Sequence, residues 1–188
     1  MIPSYLESLR KQFSFYKMLG DKAFAQLEEK DLFWQYNEES NSIAIIVNHM
    51  WGNMMSRWTD FLTTDGEKEW RDRDMEFEDL IKTREELLQK WEEGWACLFS
   101  AIDAVNEENF DSLIYIRNMG HTIPEAFNRQ LGHYAYHTGQ IVYIGRMIKG
   151  PAWKSLSIPK GESKTYNSRK FAQQKRKAHY TEEFLDKK

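Results

Sequence analysis

The chain has 188 residues, 41% hydrophobic and 29% charged, with 7 Trp, 9 Tyr and 11 Phe. This is the profile of one soluble globular domain, and it excludes a disordered chain. A net charge of −3 argues against a general attraction to polyanions, and the single cysteine, Cys97, rules out an intrachain disulfide or a cysteine-only metal site.

Four segments carry helical periodicity. The first runs from about Ser4 to Glu29, with Leu6, Leu9, Phe13, Tyr16, Ala23 and Leu27 near one stripe. The second runs from about Asn41 to Thr63 on Ile43, Val47, Met50, Met54, Trp58 and Phe61. The third, from about Glu76 to Val105, repeats Leu80, Leu87, Trp91, Trp95, Leu98, Ile102 and Val105. LIYIR at 113–117 is β-prone but too isolated to make a sheet of its own. The fourth helix opens at Thr122, where Thr122 and Glu125 have capping-box spacing and Pro124 sits in the tolerant first turn. It continues through Ile148 and stops at Gly150–Pro151. One apolar stripe per helix predicts an all-α fold, a four-helix bundle over residues 1–150.

Residues 151–188 read as a C-terminal loop and tail extension, partly ordered and basic. From Lys154 onward there are ten Lys/Arg and four Asp/Glu, so the tail carries +6 and residues 1–153 carry −9. A solvated terminus is the expected reading, and nucleic-acid contact is not expected. Lys160 and Ser163 in IPKGES are candidates for a lid over a pocket. No apolar run approaches the ~20 residues that span a bilayer. The opening MIPSYLESLRKQF lacks the basic-then-apolar plan of a secretory signal, so no membrane partner and a reducing cytoplasm are expected.

Among the five histidines, His179 is expected to be exposed in the tail and His121 to be a cap neighbour. His133 and His137 lie four apart, about 40° from one another on a helix face shared with Gln130, Tyr134, Ile141 and Ile144. Two inward imidazoles need polar partners, and a shared metal ion would serve both. They can equally be ordinary polar residues one turn apart. His49 on the second helix is followed by the small residues Gly52 and Ser56, which leave room for an ion or ligand, or else mark a tight helix crossing. Three imidazoles with an open fourth position suit zinc, nickel or iron. Tyr134 follows His133, so the zincin pattern with its built-in glutamate base is excluded.

NHMWGNMMSRW on one helix and RQLGHYAYHTGQI on another resemble the DinB/YfiT-like superfamily over roughly residues 1–150, with the SIPKGES tail similar to one uncharacterised branch. The resemblance implies a metal site of His49, His133 and His137, an up-down-down-up helix order and a homodimer. It also implies a kinship with thiol-dependent transferases and isomerases that use mycothiol or bacillithiol. The function expected is a metal-dependent enzyme, a small-thiol-dependent transferase or a hydrolase. Its partners would be a small-molecule substrate and a low-molecular-weight thiol. Asn53, Ser56, Arg57 and Arg129 are the candidate substrate-binding residues. The rival is a non-catalytic metal- or ligand-binding bundle, favoured because no carboxylate or evident base accompanies the histidines in the sequence. Cys97 is expected to be a packing residue rather than a nucleophile.

Overall fold

A computed structural model, describing residues 2–185, shows a mainly helical protein whose buried apolar side chains form one continuous core. Helix α1 spans Ile2–Phe24, shorter at its C-terminal end than its periodicity suggests. The Arg84 guanidinium donates to the Phe24 and Leu27 carbonyls at 2.7 and 3.0 Å, satisfying acceptors a helix end leaves open. The chain then restarts as α2 (Glu29–Leu32), where the Glu28 N–H donates to the Asp31 carboxylate at 2.9 Å.

Helix α3 (Ile43–Trp58) starts at the Ser42 hydroxyl, which accepts from the Ile45 N–H. Every residue of α3 except Trp51 and Met55 is buried. The sequence suggested one inward stripe; instead α3 is enclosed all round, by α4, α5 and the link that follows it. Helix α4 spans Arg84–Asp103 and begins at a Thr83–Glu86 capping box, seven residues after the predicted start at Glu76. The residues before it do not continue the helix. Met75–Phe77 form a single 3-10 turn that packs onto α3.

Residues Leu113–Ile116 (β1) do find a partner. They pair antiparallel with Met119–Thr122 (β2), Ile114 opposite His121 and Ile116 opposite Met119. The two-residue turn between them has Arg117 and Asn118 at φ 55° and 59°, the left-handed pair that a two-residue hairpin demands. Asparagine tolerates that region; arginine does so at a cost of about 1 kcal/mol. The Asp65 carboxylate steadies the turn, accepting from the Arg117 and Asn118 N–H groups at 2.8 Å each. Helix α5 (Ile123–Lys149) follows directly, with the expected Thr122–Glu125 box and Pro124 in its first turn, and ends at Gly150 with φ 50°. α1 packs on α5 and α4, and α3 on α4 and α5.

The tail is more ordered than its composition suggests. Helix α6 (Ser163–Phe171) is followed by a segment that returns to α1 and ends in α7 (Glu182–Leu185). There Thr181 is fully buried, Phe15 packs edge-on to Tyr180 and Phe184, and Lys11 pairs with Glu182 at 2.9 Å. His179 is half-buried rather than exposed, 3.1 Å from the Ser8 hydroxyl. Among the described residues no helix is long and apolar enough to cross a membrane.

Candidate metal centre

Helix α3 carries His49, and one turn of α5 carries His133 and His137, all on the sides that face each other. Their Nε2 atoms converge: His133 lies 3.2 Å from His49 and 3.0 Å from His137. Nitrogens held about 2.0–2.1 Å from a tetrahedral zinc ion lie about 3.3 Å apart, so this spacing suits one ion. The three residues can hold a metal ion.

What the rings do on their other side strengthens the fit. Each Nδ1 faces an oxygen: His49 meets Glu76 at 2.9 Å, His133 meets Gln130 at 3.1 Å and His137 meets Gln140 at 2.7 Å. A carboxylate oxygen can only accept, so the neutral form of His49 carries its proton on Nδ1 and has Nε2 free for a metal ion. The two glutamines place the same demand on their histidines through Oε1. Three bare nitrogens then point at one another, an arrangement that neutral imidazoles do not satisfy and a cation does.

Glu76 corrects the expectation that no carboxylate accompanies the histidines. It sits in the 3-10 turn rather than at the head of a helix, 7% exposed at its side chain. Arg71, 3% exposed, grips it from behind with Nε and Nη2 at 2.7 and 2.9 Å. The room that Gly52 was expected to leave for an ion is occupied by this carboxylate. A Cβ on Gly52 would lie 2.3 Å from Glu76 Oε1. The missing side chain on α3 therefore admits the orienting group instead of the metal.

The electrostatics match a ligand set. Burial, reinforced by the neighbouring His137 and His49 and by Arg57 and Arg71, pushes His133 down to about 3. Burial also lowers His137, against the opposing pull of Gln140. Both rings stay neutral at ordinary pH, the form that binds metal. Burial works to raise the Glu76 carboxyl, but the His49 and Arg71 hydrogen bonds outweigh it and hold the group below the usual carboxylate range.

The three histidines form one wall of a cavity of about 350 Å³. Of the four predicted substrate-binding residues, Asn53, Arg57 and Arg129 line it. Asn53 is oriented by the buried Tyr134 hydroxyl, which donates to Asn53 Oδ1 at 3.0 Å while accepting from Trp58 Nε1 at 3.1 Å. Ser56 does not line the cavity. Its hydroxyl donates to the Gly66 carbonyl and accepts from the Lys68 N–H, both at 3.0 Å, and so pins the link 59–83 to α3. Tyr136 is exposed on the outer side of α5. Cys97 is half-buried beside the Thr59 hydroxyl, its thiol raised by burial and outside the cavity lining. Lys160 and Ser163 lie away from the cavity too: α6 folds toward α7, where Tyr166 and Lys170 bond Glu183. None of residues 151–185 lines the histidine cavity.

A family model described as a protein of unknown function, DUF1572, matches residues 1–162. The chain belongs to this family. No curated protein and no solved structure matches it.

The span shared with DUF1572 contains every residue of the site and stops one residue before α6. Within it lie the site residues that sequence reasoning missed: Glu76, Gln140, Arg71, Arg73, Phe77 and Arg117. Gln140 had a local signal, since it stands three residues after His137 on the same helix. The others arrive on loops, where periodicity says nothing about which side chain turns inward. Phe77 stacks on His49 with ring centroids 4.7 Å apart, and Arg73 lies 5.3 Å over the Phe77 ring.

Proposed function

We propose that this protein is a metal-dependent enzyme with His49, His133 and His137 as ligands to one divalent transition ion, zinc or nickel foremost and iron next. The observation that carries the reading is the convergence of three Nε2 atoms, each ring held by an oxygen on Nδ1. An ion with three imidazole ligands and an open position would act as a Lewis acid, lowering the pKa of a thiol or water placed beside it.

The chain's own groups suit a transfer reaction with a small thiol better than a purely structural role. A structural site is closed on all sides, whereas this one opens onto a cavity able to take a small molecule. Asn53, positioned by Tyr134, offers an amide to orient a substrate, and Arg57 and Arg129 offer cations. Glu76 positions His49 and is fully engaged by Arg71, so it is not a free base. The proton of an incoming thiol therefore leaves to solvent or to the substrate.

The reading extends to the fold. Four long helices packed pairwise, with a link of residues 59–83 between α3 and α4, support a four-helix bundle in up-down-down-up order, since parallel neighbours need a crossover. A DinB-like kinship and a homodimer belong to the same proposal. Tyr136, Tyr143 and Met147 form an exposed stripe on α5 that a second copy would cover.

The rival, a non-catalytic binding protein, draws on the absence of a free base beside the cavity. Cobalt substitution separates the two. A thiol added to the cobalt-loaded protein should produce a thiolate-to-cobalt charge-transfer band, abolished in His133→Ala. If stoichiometric cobalt binds but the spectrum ignores thiols, the transferase reading fails and hydrolysis or simple binding remains. If no metal binds, the enzyme reading fails altogether.

A further inference from the structure

Among the described residues five arginines, Arg57, Arg71, Arg73, Arg117 and Arg129, line the histidine cavity, and no carboxylate does. Two glutamates stand behind them. Glu76 holds Arg71, and Glu67 lies 3.0 Å from Arg71, 3.3 Å from Arg117 and 3.9 Å from Arg57. Asp65 adds a third carboxylate, on the Arg117 turn and near Arg57, and the five arginines still outnumber these three anions in a protein whose net charge is negative. Arg57 and Arg117 add two independent observations. Arg57 is 4% exposed, its nearest carboxylate is beyond hydrogen-bond distance, and its Nε is buried with no partner. Its Nη1 donates to the Gly66 carbonyl at 2.9 Å, and burying a guanidinium on one carbonyl and a distant carboxylate is costly. Arg117 occupies a left-handed turn position that Gly or Asn would fill without strain. Strained residues of this kind concentrate where the side chain is needed.

We infer that the mouth of the cavity is an anion-binding subsite. It would seat a small molecule with at least two negative charges, in a phosphoryl group or paired carboxylates, against Arg57, Arg117 and Arg129 beside the histidines. The inference rests on the histidine cavity being the binding site and does not require the ion. Guanidinium forks match both phosphoryl and carboxylate oxygens bidentately. The exposed Arg117 and Arg129 keep further N–H donors beyond those that face Glu67 and His121.

The test is isothermal titration of the full chain, metal-free and zinc-loaded, with pyrophosphate and with succinate in separate arms. Zinc uptake is measured independently on the same preparations. Wild type should bind at least one of the two anions saturably, and the arm that binds tells a phosphoryl from a dicarboxylate substrate. Arg129→Gln and Arg117→Gly should each weaken binding at least about fivefold while zinc uptake is retained. Arg117→Gly should not lower the thermal midpoint, because it relieves the turn. Arg146→Gln, an exposed arginine elsewhere on α5, should bind as wild type does. Wild-type protein that takes up zinc but binds neither anion overturns this inference and leaves the metal reading standing. Anion binding lost equally in all three variants, or in none, also overturns it. Anion binding without zinc uptake supports the inference and removes the metal reading.

Discussion

Gly52 and Gly132 are both helical glycines, yet they sit in opposite surroundings. A methyl group at Gly52 would meet the Glu76 carboxylate at 2.3 Å, whereas one at Gly132 meets nothing within 4 Å. Gly52→Ala should therefore displace Glu76 from His49 and lower metal affinity. Gly132→Ala should leave affinity intact and stabilise by about 0.5–1 kcal/mol through helix propensity. Competition against a metallochromic chelator, beside urea midpoints, checks both. Glu76→Gln is the sharper probe of the same contact: metal affinity should fall about 10–100-fold. The fold should weaken too, because Arg71 keeps its burial and loses one of its two anions, retaining only Glu67. A variant that binds metal as wild type does would show that Glu76 serves the fold alone. Acid acts at this scale as well. His133 is held at about 3 in the folded protein against an ordinary 6.5. Below about 6.5 the unfolded chain takes up a proton that the folded site refuses. Stability of the metal-free protein, complete above that pH, is then lost progressively toward about 3. Urea midpoints from pH 8 to pH 4 should fall more steeply for wild type than for His133→Ala. Parallel curves would place the acid sensitivity elsewhere.

The elements differ in how far their own sequences account for them. The capping boxes at Thr83 and Thr122 and the stop at Gly150 are local rules, and they set the ends of α4 and α5. The hairpin is the reverse case. Residues 119–122 read Met-Gly-His-Thr, with little strand propensity, and pair only because β1 lies beside them and Asp65 holds the turn. Asp65→Ala should loosen the hairpin and cost at least about 1–2 kcal/mol, through two lost charge-assisted bonds to the turn and a third to the Glu67 N–H. Faster proteolysis or hydrogen exchange at 113–122 and in the adjoining link near Glu67, with the long helices unaffected, is the expected signature. Protection equal to wild type would mean that the burial of Ile114 and Ile116 suffices. The link 59–83 is likewise set from outside. Ser56 and Arg57 anchor it at Gly66, and the Gly66 N–H donates to the Tyr115 carbonyl at 2.8 Å, so the hairpin and the link brace each other over the cavity.

At the scale of the whole molecule, the histidine cluster lies within residues 1–162 and the tail docks on α1. Truncation after residue 171 should lower the thermal midpoint, because it uncovers Phe15 and removes the Lys11–Glu182 pair. It should leave metal stoichiometry unchanged, since none of the described tail residues lines the cavity. Loss of metal in the truncated chain would show that the tail supports the site through α1. Conversely, an ion that binds only the folded protein should raise the midpoint, by the equivalent of about 2.7 kcal/mol at a hundredfold excess over its dissociation constant.

Periodicity, caps and spacing are properties of neighbours in the chain, so the four long helices and the shared face of His133 and His137 were legible from the sequence alone. The 3.6-residue repeat puts His133 and His137 on one face whatever surrounds them, and it turns His49 inward with Ile45 and Ile46. It could not report what stands behind those rings or in front of them. Glu76 reaches His49 across 27 positions, and Arg117 reaches the cavity from a hairpin turn. Both depend on a link whose path is decided by hydrogen bonds to α3 and β1 rather than by its own propensities. Local sequence thus placed His133 and His137 on one face and the resemblance added His49, while tertiary packing alone decided the carboxylate behind His49 and the ring of arginines that gives the cavity its charge.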